Sequence, residues 1–143
     1  MRKELRRRVL EQLAPLVLAG VAMAAWAAWL GWDQHRDVHA DGSETGPYGA
    51  WQVIGLGLTL LAPVYWAASR QHIAAAVLGT TTGLTAAAYY DWSDDATGLF
   101  MIGVSMVAIG SLLATATLSL VIASRKRKAG PGRTRHGWNS NPE

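Results

Sequence analysis

The feature that most constrains this chain is a set of four long runs with no Asp, Glu, Lys, Arg or His in them, at 13–32, 47–69, 73–90 and 96–124. A bilayer hydrocarbon core is about 30 Å thick, so a helix rising about 1.5 Å per residue needs roughly 20 apolar residues to cross it. Each run approaches or exceeds that length. A soluble helix as long would carry charges opposite its apolar stripe, and these runs carry none on any face. The sequence therefore predicts an all-α, membrane-spanning four-helix bundle. Its spans are 13–32, 47–69, 73–91 and 99–124, with loops at 33–46, 70–72 and 92–98 and terminal segments at 1–12 and 125–143. The mean hydropathy of +0.13 is low for such a protein because polar tails and a polar loop dilute it.

The loops assign an orientation. Twelve of the thirteen Lys and Arg residues fall on one side: Arg2, Lys3, Arg6, Arg7 and Arg8, then Arg70, then Arg125, Lys126, Arg127, Lys128, Arg133 and Arg135, against Glu4, Glu11 and Glu143. The opposite side has Arg36 alone among Asp33, Asp37, Asp41, Glu44, Asp91, Asp94 and Asp95. Basic residues near helix ends stay in the cytoplasm, so the expected protein is multi-pass in the plasma membrane with both termini cytoplasmic. The pI of about 9.6 then reflects contact with anionic lipid and gives no reason to expect nucleic acid. The tail from Ala129 to Glu143, rich in Gly, Pro, Asn and Arg, reads as disordered.

The amino terminus resembles an export signal. Arg6-Arg7-Arg8-Val9-Leu10 is similar to a twin-arginine motif, and Ala22-Met23-Ala24 has small residues at cleavage-site spacing. The apolar run continues to Trp32, which favours retention as a spanning helix.

Catalytic chemistry is not legible. Without cysteine there is no thiol or disulfide chemistry. No histidine lies within the apolar runs to bind haem between helices. Proton-coupled transport uses an intramembrane carboxylate, whereas Glu11 and Asp91 stand at the ends of spans. No catalytic, cofactor-binding or metal residue is assigned, and the chain is expected not to be an enzyme. The nearest approach to a ligand set is Asp33, His35, Asp37, His39 and Asp41, which alternate along the first external loop. In an extended strand they would share a face, and His35 with His39 would also neighbour each other in a helix. Asp37-Val38-His39-Ala40-Asp41-Gly42 looks like the opening of a calcium loop, but Tyr48 stands where the closing Glu belongs. A solvated acidic loop explains the same residues.

Within the spans, hydroxyls are frequent, at Thr59, Thr80, Thr81, Thr82, Thr85, Ser105, Ser111, Thr115, Thr117 and Ser119. Such groups usually bond to a carbonyl one turn earlier, and Thr80 to Thr82 point three ways around their helix, which argues against a hydroxyl-lined pore. Small residues give a stronger signal. Ala75, Gly79, Gly83 and Ala87 recur at every fourth position and include a GxxxG motif; Gly20, Ala24 and Ala28, and Gly110 with Ala114, form further stripes. Such grooves permit close helix packing, within one chain or between subunits. The turn at 69–72 is short enough to make the second and third helices antiparallel neighbours, and Pro63 is expected to kink the second. Trp29, Trp32, Trp51, Tyr89, Tyr90, Trp92 and Phe100 mark the external boundary, Tyr65 and Trp66 the cytoplasmic one, and Trp26 lies deeper, against another helix.

Gly46-Pro47-Tyr48-Gly49-Ala50-Trp51-Gln52-Val53 and Tyr90-Asp91-Trp92-Ser93-Asp94-Asp95, with the Ala- and Gly-heavy helices around them, resemble small uncharacterised integral membrane proteins of high-GC actinobacteria. The resemblance runs from the second helix onward and implies no activity, cofactor or site. The expected function is a non-catalytic interaction, scaffold or accessory subunit, with the bilayer and a second copy or another membrane protein as partners. The alternative is a small homo-oligomeric ion or solute channel or transporter.

Overall fold

The computed structural model describes residues 1–33, 37–38, 40–42, 44–45 and 48–129. Four helices account for nearly all of them: α1 (Arg2–Trp29), α2 (Ala50–Ser69), α3 (Ile73–Trp92) and α4 (Phe100–Lys128). The loop between α1 and α2 includes one short antiparallel pairing, Asp37 opposite Thr45 and Val38 opposite Glu44. Helix α1 runs unbroken through the basic segment at 2–12, and α4 continues through Arg125 to Lys128. Cations in that last turn favour the negative end of the helix dipole. Pro15 and Pro63 are both accommodated inside helices.

Three of the helices, α1, α2 and α4, are long and apolar enough to cross a membrane. Helix α3 falls short of that standard because Gly79, Thr80, Thr81, Thr82, Gly83 and Thr85 dilute it. Yet α3 is the hub of the bundle. It packs most closely on α1 and α4, while α2 touches α1 and α4 more sparingly. Around the bundle the order is α1, α2, α4, α3, and α1 does not approach α4 among the described residues. Helices α2 and α3 are joined by a short turn as expected, but they touch each other less than any other packed pair. A short turn fixes where two helices begin to diverge, whereas close packing along their length depends on which faces are small.

That turn ends α2 in a Schellman motif. The His72 N–H donates to the Ala67 carbonyl at 2.9 Å, and the Gln71 N–H donates to that of Ala68 at 3.0 Å. The motif needs a left-handed residue, and Gln71 supplies it with φ 66°.

The GxxxG groove of α3 is filled by α1. A Cβ on Gly79 would lie 2.5 Å from the Pro15 carbonyl oxygen and 2.8 Å from the Leu18 Cβ. One on Gly83 would lie 2.8 Å from the Ala22 Cβ, and closer still to the Ala19 carbonyl oxygen. Only hydrogen at these positions lets the backbones meet. The other two stripes are placed differently. Gly20, Ala24 and Ala28 lie on the exposed face of α1, and nothing comes within 4 Å of where a Gly110 Cβ would stand. The face of α1 that α3 occupies is instead Pro15, Leu18, Ala19 and Ala22, so proline and leucine stand where a stripe of small residues alone was expected.

Candidate functional site

Polar side chains converge at one end of the bundle, where the α1–α2 loop meets the last turn of α3. Asp91 stands one residue before the end of α3. Its Oδ2 accepts hydrogen bonds from the Trp26 Nε1–H at 3.3 Å and from the Tyr48 hydroxyl. Tyr48 in turn accepts from the Trp92 Nε1–H at 2.9 Å. The rings pack as well: Trp26 meets Trp92 edge-on at 5.7 Å between centroids and Tyr48 at 6.1 Å, while Tyr48 stacks on Trp92 at 6.3 Å. Tyr48 precedes the first turn of α2, outside that helix. Burial raises its phenol pKa above the ordinary value, and the hydrogen bond to the Asp91 carboxylate raises it further. The phenol is therefore held neutral as the donor that the carboxylate requires.

A second set of bonds lies beside the first. Gln52, fully buried at the third position of α2, accepts the Gly49 N–H through its Oε1 at 2.6 Å and donates through its Nε2 to the Asp33 Oδ2 at 3.0 Å. The first bond is the glutamine half of a capping box; the second ties the chain leaving α1 to the start of α2. Asp95 shapes the next loop, accepting from the Thr97 N–H and hydroxyl at 3.1 and 2.8 Å. An acid–threonine turn of this kind needs no ligand to explain its carboxylate.

Two tryptophans fasten the helices at this end. A Cβ on Gly55 would meet the ring of Trp29 at 2.5 Å, and one on Gly103 would meet that of Trp92 at 2.9 Å. Trp29 also donates to the Thr59 hydroxyl at 3.0 Å, which itself donates to the Gly55 carbonyl at 2.8 Å. Trp26 is buried against α3, as its depth in the sequence predicted. The aromatics at this end thus divide: Trp32, Trp51, Tyr89 and Tyr90 are exposed, whereas Trp29 and Trp92 pack between helices. Composition marks the boundary for both groups, but only the facing glycines reveal which rings turn inward.

Of the alternating acids and histidines, His35 and His39 lie outside the described residues, as does the side chain of Asp37. Asp41 is exposed in a turn beside Gly42, whose φ is 81°. Among the described residues no three His, Asp or Glu side chains gather to hold a metal ion. Glu11 forms an ion pair with Arg7 at 3.3 Å near the start of α1. The span hydroxyls bond as expected: Thr85 to the Thr81 carbonyl, Ser105 to Met101, Ser111 to Val107 and Thr115 to Ser111. Thr80 is buried and Thr82 exposed, in keeping with their different directions.

Midway along the bundle a cavity of about 390 Å³ opens between α2 and α4 over α3, lined by Leu60, Leu61, Val64, Leu84 and Leu118 with Ser111 and Thr115. The hydroxyls of Ser111 and Thr115 already serve their own helix, and the rest of the lining is apolar apart from Thr80, so the cavity suits hydrocarbon. The Asp91 cluster joins a carboxylate and a phenol to the Trp26 and Trp92 indoles. Its bonds join α1, α3 and the approach to α2, an arrangement that fixes helix positions. In the sequence Asp91 stands simply at the end of a span, and nothing there singles out Gln52 or joins Tyr48 to it. The available signal was an acid closing an apolar span with tryptophans at that level. No family model, curated protein or solved structure matches this chain.

Proposed function

We propose that the chain is a four-span plasma-membrane protein with both termini in the cytoplasm, acting without catalysis as a scaffold or accessory subunit. The observation that carries this reading is the surface of α4. It runs 29 residues, with no charge before Arg125, and Ile102, Met106, Ile109, Leu113 and Leu120 are all exposed on it. Side chains of this size on an isolated helix face need hydrocarbon or another protein. The basic run that follows gives the cytoplasmic end, and the acidic loops the external one. Helix α3, wedged between α1 and α4, completes the fourth crossing with its less apolar faces covered. A conduit draws less support, because Thr59, Thr85, Ser105, Ser111 and Thr115 are each committed to a carbonyl of their own helix.

The absence of native cysteine makes the orientation directly testable. Ser93→Cys should react with a membrane-impermeant maleimide on intact cells, and Ser140→Cys only after lysis; the reverse pattern would overturn the topology. A photoreactive residue in place of Leu113 should crosslink to another membrane protein or a second copy. A strict monomer without crosslinks would sink the scaffold reading, and ion flux through the pure protein in liposomes would favour the conduit.

A further inference from the structure

At the end of the bundle opposite the Asp91 cluster, a cavity of about 510 Å³ lies between the first turns of α1 and the α2–α3 turn. Its polar wall is made by Lys3, Arg6 and Arg7 from α1 and by Arg70 and His72 from the turn, with Glu11 the one carboxylate among its lining residues. Glu11 is engaged by Arg7 at 3.3 Å, and Lys3, Arg6 and Arg70 form no ion pair among the described residues. Lys3, Arg7 and Glu11 recur at every fourth position, so a single face of α1 supplies them. Trp66 and Ala14 form the apolar wall, and the Arg70 guanidinium lies 4.8 Å from the centroid of the Trp66 ring.

We propose that this cavity binds the phosphate headgroup of an anionic phospholipid. Cations on one wall and a tryptophan with an apolar contact on the other match a molecule whose phosphate continues into ester and hydrocarbon. A free anion would use only the first wall. The depth agrees: the cavity sits where α2 ends at Ser69, so a lipid there keeps its phosphate at headgroup level and its chains beside the helices. Arg70 is placed by the ring beneath it, and an arginine fork can take two phosphate oxygens at once. Basic residues elsewhere at this face, such as Arg125 and Lys126, attract anionic lipid only through general surface potential.

This inference rests on the membrane reading above, and the two can fail separately. Full-length protein in a neutral maltoside detergent would be titrated with phosphatidylglycerol, phosphatidylcholine and inorganic phosphate, with binding followed by native mass spectrometry. Phosphatidylglycerol should bind at least tenfold more tightly than either of the others. The Arg6→Gln/Arg70→Gln variant should lose at least tenfold of that affinity, while Arg125→Gln/Lys126→Gln should stay within twofold of the parent. Arg70→Lys, which keeps the charge, should lie between parent and double variant, and serves as the test if the double variant does not fold. Equal losses from the two double variants, equal binding of phosphatidylcholine, or equally tight binding of inorganic phosphate would each overturn the headgroup site. Release of the protein from membranes by salt or alkali without detergent would instead overturn the membrane reading.

Discussion

Helices α3 and α4 stand side by side and solve opposite problems. Helix α3 is the less apolar and the more enclosed: Ala76, Gly79, Thr80, Gly83, Leu84, Ala87 and Ala88 are all buried along it. Helix α4 is apolar around most of its circumference and buries only Val104, Thr115, Ser119 and Ala123. Hydropathy alone would have made α4 the core and α3 the periphery, as in a water-soluble bundle. On the membrane reading proposed above that ranking does not hold, because burying a leucine against a neighbouring helix gains little over burying it in lipid tails. Small side chains decide the centre instead, since they let backbones approach.

The contrast can be broken most directly at its glycines. Gly79→Ala and Gly83→Ala should each destabilise the bundle by about 1–3 kcal/mol, because the new methyl must push back the α1 backbone rather than a flexible side chain. Gly110→Ala, on the open face of α4, meets nothing and should be neutral or stabilising by up to about 1 kcal/mol through helix propensity. Reversible unfolding in mixed micelles would measure all three. Equal effects would show that the α3 groove contributes no special packing.

The outer end of α3 is the next place to press. Tyr48→Phe removes the hydroxyl that donates to Asp91 and accepts from Trp92, leaving two part-buried groups short of a partner at an expected cost of about 1–3 kcal/mol. The raised phenol pKa adds a pH signature. Below the ordinary value of 10.0 the phenol is protonated in both folded and unfolded states, and its contribution is constant. Above it the unfolded chain releases the proton while the folded chain holds it, so stability falls as pH rises towards the elevated folded value. Melting curves from pH 8 to 11 should therefore steepen downward above pH 10 in the parent, by more than in Tyr48→Phe. Parallel curves would mean that the phenol is not held by Asp91.

The inner end of α3 offers a gain in stability. Gln71 pays the steric cost of a left-handed backbone in the Schellman turn, and Gln71→Gly should stabilise by about 0.5–1 kcal/mol after allowing for the greater freedom of glycine when unfolded. Loss of stability on that change would mean that the glutamine side chain has a role the turn geometry does not reveal. The same measurement in micelles distinguishes the two.

How far the sequence could be read follows the same division. Charge-free runs place α2, α3 and α4 to within a few residues, whereas α1 begins at Arg2, well before its run at 13. The loop charges carry the proposed direction of threading, through a rule about basic residues that needs no contacts. Partners along each helix were harder to read. The stripe at Gly79 and Gly83 is visible in the chain, but equally regular stripes at Gly20 and Gly110 face outward, since regular spacing does not say whether a complementary backbone is present. The Asp91 cluster was least legible. Asp91, Tyr48 and Gln52 are far apart in sequence, and an acid at the end of a span is ordinarily solvated. Only the approach of Trp26 from α1 and Tyr48 from the loop turns it into a joint.

The smallest expected effect tests α4 from its buried side. Ser119 is fully enclosed, and its hydroxyl has no hydrogen-bond partner among the described residues. Four other α4 hydroxyls, at 105, 111, 115 and 124, donate to a carbonyl of the preceding turn. An enclosed hydroxyl without a partner gives up solvation and gains nothing for it, so Ser119→Ala should be neutral or stabilising by about 0.5 kcal/mol. Thr115→Ala makes the control, because it removes a hydroxyl that bonds at 2.6 Å together with a buried methyl, and should destabilise. If instead Ser119→Ala costs as much as Thr115→Ala, the hydroxyl has a partner that only the membrane-embedded protein supplies. The enclosed face of α4 would then be held by a hydrogen bond as well as by packing, and the contrast with α3 would be smaller than the burial of the two helices implies.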